Sequence, residues 1–95
     1  MKLNIDSPEG LALALRAVRK HSHVRLDDLA KTVGVSKQTA TNVEQGKAKL
    51  STMFAFLREL GIVVSVEVPE GALPVVRRLS AAAEARDVSA ANDQE

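Results

Sequence analysis

Apolar residues recur along the first part of the chain at the three- and four-residue spacing of amphipathic helices. The first such stretch follows Ser7 and Pro8, which suit the N-cap and the first helical position. A first helix is therefore predicted from Pro8 to about His21. Its buried stripe would consist of Leu11, Ala14, Leu15 and Val18.

Two shorter helices are predicted next. Apolar residues at i, i+3, i+4 and i+7 begin at Leu26, and Gly34 supplies the positive φ that ends a helix at low cost. Ser36 is a good N-cap for the following helix, which would start at about Lys37. That helix has few apolar residues and a very polar start, so it is either solvated or docked on a polar partner. The polar residues are Lys37, Gln38, Thr39, Thr41 and Asn42.

A fourth helix and a strand complete the pattern. The helix would begin at Leu50 and end at Gly61, with an inner face of Leu50, Met53, Phe54, Leu57 and Leu60. The spacing then changes to strict alternation, and Pro69 ends the run. The predicted strand consists of Ile62, Val64, Val66 and Val68 with their alternating neighbours.

A single strand needs a partner, because its backbone groups and valine-rich face would otherwise remain unpaired. The simplest partner is the same strand of a second copy of the chain. A short N-terminal strand around Leu3–Ile5 is the alternative, and both could join one small sheet.

The predicted fold is thus an all-α four-helix domain with one C-terminal β-strand that pairs across a dimer. Residues 1–6 form an arm or short strand, 7–61 the helical domain, 62–68 the dimerisation strand and 69–95 a flexible acidic tail. The composition of the tail suits a weak helix or disorder. Such a tail could start proteolysis, fold onto a partner or be inert.

Composition and charge narrow the functional classes. Ninety-five residues allow one small domain, and dimerisation would add stability. Two aromatic residues give no platform for stacking unpaired bases, and the lack of cysteine suits a reducing compartment. No apolar run resembles a membrane span or signal peptide, so we expect a cytoplasmic protein without a membrane partner. Residues 1–66 carry ten Lys or Arg against six acids, whereas residues 67–95 carry three against six.

An enzyme is not expected from these residues. The sequence contains no cysteine nucleophile, no Gly-rich phosphate loop and no set of metal ligands. His21 and His23 are interpreted as solvated turn residues, so neither a metal nor another cofactor is predicted. By contrast, Glu44 is the single acid among four lysines between Lys31 and Lys49, which makes this segment locally cationic.

Leu29-Ala30, Gly34-Val35-Ser36 and Glu44-Gln45-Gly46-Lys47 resemble, in sequence and spacing, the helix-turn-helix of the phage-repressor and Cro-like (XRE) family. The resemblance covers residues 11–61. It implies that the third helix enters the major groove of double-stranded DNA. Base contacts would come from Lys37, Gln38, Thr41 and Asn42, and phosphate contacts from Arg25, Ser36, Thr39, Lys47 and Lys49.

The family resemblance also implies a structural ion pair between Arg19 and Glu44, which would keep Glu44 away from DNA. Two positions depart from the family pattern. Arg25 and Leu26 stand where the family has Thr or Ser and then Gln, so a charge would replace the phosphate contact while a cap is lost. His23 stands where the family favours Gly, so a strained or altered turn is expected there.

The segments SPEGLALALRAVRK and FLRELGIVVSVEV, before and after the motif, resemble HipB-type antitoxins. That resemblance covers residues 7–68 and implies a homodimer that binds a palindromic operator, represses its own operon and neutralises a HipA-type serine/threonine kinase toxin. Two alternatives remain open at this point. One is a stand-alone transcriptional repressor of the same fold, and the other is a protein-interaction module without DNA binding.

Overall fold

The structure, a computed structural model, describes the backbone of residues 1–90 and the side-chain burial of residues 1–83. Within residues 1–90 five α-helices follow one another, and a 3₁₀ turn at Glu70–Ala72 precedes the last of them. The helices are α1 (Pro8–His21), α2 (Leu26–Val33), α3 (Lys37–Glu44), α4 (Leu50–Glu59) and α5 (Leu73–Ala90).

The first four helices form one compact unit, Met1–Val64, and a second unit begins at Ser65. Each of the four helices contributes buried side chains to a single aliphatic core around Phe56. Leu15, Val43 and Leu57 are, with Phe56, its largest fully buried side chains. The core is completed by Ala12, Leu29, Ala30, Ala40 and Met53.

Two serine caps set the starts of α1 and α3. The backbone N–H of Gly10 donates to Ser7 Oγ (3.0 Å), and the N–H of Thr39 donates to Ser36 Oγ (3.1 Å). Each bond satisfies one of the backbone donors that a helix leaves free in its first turn. The predicted bounds of α1 and the predicted start of α3 are therefore confirmed.

Three glycines with positive φ connect the helices. Gly34 (φ 90°) ends α2 and Gly61 (φ 72°) follows α4, as predicted. Gly46 (φ 75°) follows α3 and lies against the start of α1. A Cβ built on Gly46 would stand 3.0 Å from backbone atoms of Pro8 and Glu9. The end of α3 is thus held close to the start of α1 at a place where a side chain has no room.

The inner face of α4 differs from the predicted one at its first position. Leu50 is 69% exposed, whereas Phe56 is completely buried. The stripe that faces the core is Met53, Phe56 and Leu57, with Leu60 packed at its edge. Leu50 lies at the first turn of the helix and lines an open apolar groove together with Ile5 and Leu11.

The predicted strand is not formed in this single chain. Residues 62–68 have no regular secondary structure, and neither do residues 1–6. Pairing with Leu3–Ile5 within the chain is therefore absent from the described residues. Val63 and Val66 are 88% and 79% exposed, so the apolar segment lacks a cover here. Pairing of two chains is taken up below.

The flexible tail expected over residues 69–95 is not confirmed. Of the weak helix and the disorder that its composition allows, the structure has the helix, because α5 extends from Leu73 to Ala90. Pro74 suits the first turn of a helix. Alanine has the highest helix propensity of all residue types, and three alanines follow one another at Ala81-Ala82-Ala83. Residues 91–95, which the same expectation included, lie outside the described residues.

No helix within residues 1–90 is both long enough and apolar enough to span a bilayer. Among the described residues, His, Asp and Glu side chains also form no group of three or more that could hold a metal ion.

Candidate nucleic-acid interface

Helix α3 is anchored on one side only. Ala40 and Val43 are completely buried, and they are three residues apart, so they share one face of the helix. A rotation of about 100° per residue places Gln38 and Gln45 on the opposite face, with Thr41 and Asn42 to either side of them. Gln38 and Gln45 are exposed, and Thr41 and Asn42 are half-buried. The side of α3 directed away from the core is therefore entirely polar.

Two of the residues predicted to contact bases are linked to each other. Gln38 Nε2 donates to Asn42 Oδ1 at 3.2 Å, one helical turn further on. Residues four apart on a helix are neighbours, and such amide pairs hold each other in place. The bond occupies one N–H of Gln38 and leaves its carbonyl oxygen and second N–H available.

The start of α3 presents two hydroxyl groups. Ser36 Oγ accepts from the backbone of Thr39, and its own hydroxyl donates to Thr39 Oγ1 (3.1 Å). Both residues were predicted to contact phosphates, and the structure places their hydroxyls side by side at the first turn. Lys37, the first residue of the helix, is also exposed and stands next to them.

An open polar concavity lies between α3 and the start of α4. Four predicted DNA contacts line it. Three of them, Thr39, Lys47 and Lys49, were predicted to contact phosphates, and the fourth, Asn42, was predicted to contact a base. Thr52, in the first turn of α4, completes the lining. Lys49 is the N-cap of α4 but makes no side-chain capping bond, so no side chain of the cap occupies the first N–H groups of that helix.

Arg25 and Lys37 approach a common carboxylate. Asp27 Oδ2 is 3.7 Å from Arg25 Nη2, and Asp27 Oδ1 is 3.5 Å from Lys37 Nζ. Arg25 occupies the N-cap of α2 without a side-chain capping bond, as its departure from the family pattern predicts. The cations at the start of α2 and at the start of α3 therefore lie next to the same acid.

The ion pair between Arg19 and Glu44 is present. Arg19 Nε donates to Glu44 Oε2, and Arg19 Nη2 donates to Glu44 Oε1 at 3.1 Å. Both side chains are largely buried, with 12% and 10% of their surfaces exposed. Arg19 Nη1 also donates to the carbonyl of Val24 at 2.9 Å. One guanidinium thus joins α1, the end of α3 and the segment that leads into α2.

Of the strained or altered turn expected before α2, the structure shows the backbone strain. His23 has a φ of 59°, and it is the only non-glycine residue with positive φ among the described residues. The left-handed region is unfavourable for residues with a Cβ, which explains why glycine suits this position. Two hydrogen bonds of Val24 hold the turn in place. Its backbone N–H donates to the carbonyl of Arg19, and its carbonyl accepts from Arg19 Nη1.

Three residues of this surface were not identified from the sequence. Thr52, Gln45 and Asp27 were not among the predicted DNA contacts. The proximity of Asp27 to Lys37 depends on how α2 and α3 pack. One local signal could have identified Thr52. Helix α4 begins after Lys47 and Lys49 without a capping side chain, and such a helix start favours an anion near its first turn, which contains Thr52.

Comparisons with known proteins agree with this arrangement. Residues 15–62 match the model of a helix-turn-helix family. A chain of a HipA-HipB-O2-O3 complex is 28% identical, with a TM-score of 0.65 over 73% of this chain and 100% of that chain. A HipB-O4 20mer complex gives the same values, and a HipB-O1-O2 complex gives 29% identity and a TM-score of 0.65 over 70% and 100% of the two chains.

No curated protein sequence matches the chain significantly. The family match nevertheless covers half of the chain and contains all of α2, α3 and α4, with the polar face of α3 and the Arg19–Glu44 pair inside it. The solved structures that resemble the chain include HipB in complexes with HipA and with O2, O3 and O4, and the chain belongs to the XRE-type helix-turn-helix family.

Proposed function

We propose that this protein is a DNA-binding, HipB-like antitoxin that represses its own operon. The observation that carries the proposal is the one-sided anchoring of α3, which buries Ala40 and Val43 and leaves a polar face bordered by lysines. Similarity to HipB in complexes with O2, O3 and O4 supports it, because the whole of each of those chains is covered at 28% identity.

In this proposal the exposed face of α3 contacts base edges in the major groove. Lys37 would donate to O6 and N7 of a guanine, and the Thr41 methyl would contact a thymine methyl. Gln38 would bind an adenine through its carbonyl oxygen and its second N–H. Its bond to Asn42 supports that role, because it orients the amide and leaves those two groups available. Asn42 would contact a base or a phosphate.

The phosphate contacts would surround this face. Ser36 and Thr39 present hydroxyls at the start of α3, and Lys47 and Lys49 provide positive charge in the concavity that Thr39 also lines. Thr52 is added to this group, because it lines the same concavity at the start of α4, where the helix dipole also favours an anion. Arg25, at the start of α2, would contact a further phosphate of the DNA backbone.

The proposed DNA-binding unit is a homodimer. Residues 62–68 alternate in apolar character and are unpaired in the single chain, with Val66 79% exposed. Pairing of this segment with its symmetry mate would bury those valines and satisfy both backbones. A two-fold axis at the strand would present two α3 helices to the halves of a palindrome, about one helical turn of DNA apart.

The proposed protein partner is a HipA-type serine/threonine kinase toxin. It is suggested by the similarity of the chain to one in a HipA-HipB complex. The test is to express the chain with any HipA-type kinase encoded beside it. We expect the two to elute together in size-exclusion chromatography and the growth arrest caused by the kinase to be relieved. A kinase that stays separate and toxic would leave only the repressor part of the proposal.

The DNA-binding part is tested by titrating duplexes from the region upstream of its own gene. We expect one inverted repeat to bind much more tightly than shuffled duplexes of equal length. The affinity should fall steeply as salt rises, since bound cations are released from the DNA. Equal binding of repeat and shuffled duplexes, or no binding of either, would contradict the proposal.

A further inference from the structure

Asp27 is an acid in the middle of a surface that is otherwise suited to an anionic partner. Its two carboxylate oxygens are directed to different cations, Oδ1 to Lys37 Nζ at 3.5 Å and Oδ2 to Arg25 Nη2 at 3.7 Å. Both cations are among the predicted DNA contacts, one to a base and one to a phosphate. A single carboxylate therefore holds a cation from the start of α2 and a cation from the start of α3.

The local structure favours the carboxylate at this place for a second reason. Asp27 is in the first turn of α2, where a negative charge interacts favourably with the helix dipole. Its side chain is 40% exposed, so it is still partly open to solvent and to a ligand at this surface. The carboxylate would therefore stay in place when a duplex approaches, while the longer side chains of Lys37 and Arg25 can move.

We propose that Asp27 is a specificity-determining residue, which weakens binding to non-cognate DNA by competing with the duplex for Lys37 and Arg25. This inference rests on the function proposed above. When either cation moves to the DNA, it loses its contact with Asp27, and the carboxylate then faces the phosphate backbone with a charge of the same sign. A duplex on which Lys37 reaches only a phosphate incurs this loss in full.

A duplex with the correct base avoids most of the loss. A guanine within reach of Lys37 accepts at O6 and N7 from two of the three N–H donors of the ammonium, and the third donor stays available to Asp27. On random DNA Lys37 can gain only a phosphate contact, which it exchanges for the contact with Asp27. The carboxylate thus lowers non-specific affinity more than specific affinity. Specificity is a difference of affinities, so such a repulsive group increases it.

The test compares Asp27→Asn with Asp28→Asn. The first change keeps the shape of the side chain and removes its charge. The second removes the same charge from the same helical turn, at an exposed residue whose backbone carbonyl accepts from Thr32. Affinities of both variants and of the unaltered protein are measured for the cognate inverted repeat and for a shuffled duplex at several salt concentrations.

We expect Asp27→Asn to tighten binding to the shuffled duplex by about 3- to 10-fold, which corresponds to the release of two exposed ion pairs. Binding to the cognate repeat should tighten by less than about 2-fold, because Lys37 can contact the guanine and Asp27 at the same time there. Asp28→Asn should change both affinities by a similar, smaller factor. In a Lys37→Gln background, the gain from Asp27→Asn on shuffled DNA should fall to about half or less.

The outcomes separate this inference from the proposed function. If the unaltered protein prefers its repeat but Asp27→Asn and Asp28→Asn behave alike, the competition by Asp27 is disproved and DNA binding stands. Equal gains on cognate and shuffled DNA would also overturn it. If the unaltered protein binds neither duplex, the proposed function fails and the inference fails with it. Circular dichroism and thermal unfolding of each variant establish that the helical fold is retained.

Discussion

Arg19 in α1 and Glu44 at the end of α3 are joined by two hydrogen bonds, although 25 positions separate them in the sequence. The third bond of the guanidinium, to the carbonyl of Val24, extends this connection to the segment before α2. The pair commits the single acid of the Lys31–Lys49 segment to the interior. It thereby places α3 and removes a negative charge from the surface that the lysines border.

Replacing Arg19 by methionine should destabilise the protein strongly. Glu44 would keep its charge in a largely buried place without its partner, and such a change costs on the order of 3 kcal/mol. The double variant Arg19→Met/Glu44→Met should recover much of this loss, because no unpaired charge is left. Urea unfolding measures both, and the exposed Arg16→Met in the same helix serves as control, with a change below about 0.5 kcal/mol. A double variant that is less stable than Arg19→Met alone would contradict this account.

Gly46→Ala should cost more stability than Gly34→Ala. Both glycines have positive φ, so each substitution carries the left-handed penalty of about 1–2 kcal/mol. At Gly34 a Cβ would meet nothing within 4 Å, whereas at Gly46 it would press on the backbone of Pro8 and Glu9 at 3.0 Å. Overpacking against backbone adds roughly 1–3 kcal/mol. Thermal unfolding of the two variants side by side measures the difference, and equal losses would show that the contact between α3 and α1 relaxes freely.

His23→Gly should stabilise the domain. Glycine adopts a φ of 59° without the steric penalty of a Cβ, so we expect a gain of about 0.5–1 kcal/mol in the free energy of unfolding. His21→Gly is the matched control, because it removes a histidine from the last position of α1 and should lose about 0.5–1 kcal/mol. A loss at His23 as well would mean that the histidine side chain stabilises the turn by more than the backbone strain.

The ends of α1, α2 and α3 could be predicted from the sequence because local chemistry determines them. Ser7 and Ser36 accept hydrogen bonds from backbone N–H groups in the first turn of α1 and of α3, and Gly34 adopts the positive φ that ends α2. None of these effects needs a contact with a distant residue. The exposed face of α3 followed from the same local pattern. The half of the chain that carries the candidate site was therefore the more predictable half.

What could not be predicted depends on neighbours in space or on competing local preferences. Leu50 matches the apolar spacing of α4, but it lies at the open groove beside Ile5 and is not in the core. The contact between Asp27 and Lys37 requires α2 and α3 to be packed. For α5, the acidic and polar composition of the tail left a weak helix and disorder as alternatives, although its alanine run favours the helix.

Gln38→Ala and Lys49→Ala should weaken DNA binding in different ways. If Gln38 contacts an adenine, its loss should cost about 1–3 kcal/mol on the cognate repeat and relax the preference at one base position. If Lys49 contacts a phosphate, its loss should weaken cognate and shuffled duplexes alike and reduce the salt slope by about one. Titrations with single-base variants of the repeat measure both effects. An equal loss on random DNA for Gln38→Ala would show that it does not contact a base.

Val66→Pro should abolish the dimer while the helical domain stays folded. Proline removes the backbone N–H that a ladder between two strands requires, and it is tolerated poorly within a sheet. Among the residues whose burial is described, the nine buried core residues all precede residues 62–68, the last being Leu57, so circular dichroism should still show the helices. Val66→Thr keeps the N–H and the β-branched shape and should remain dimeric. Light scattering at matched concentrations gives the masses of both variants. A dimer that survives Val66→Pro would require a different interface, and the spacing of the two α3 helices on DNA would then no longer follow from the strand.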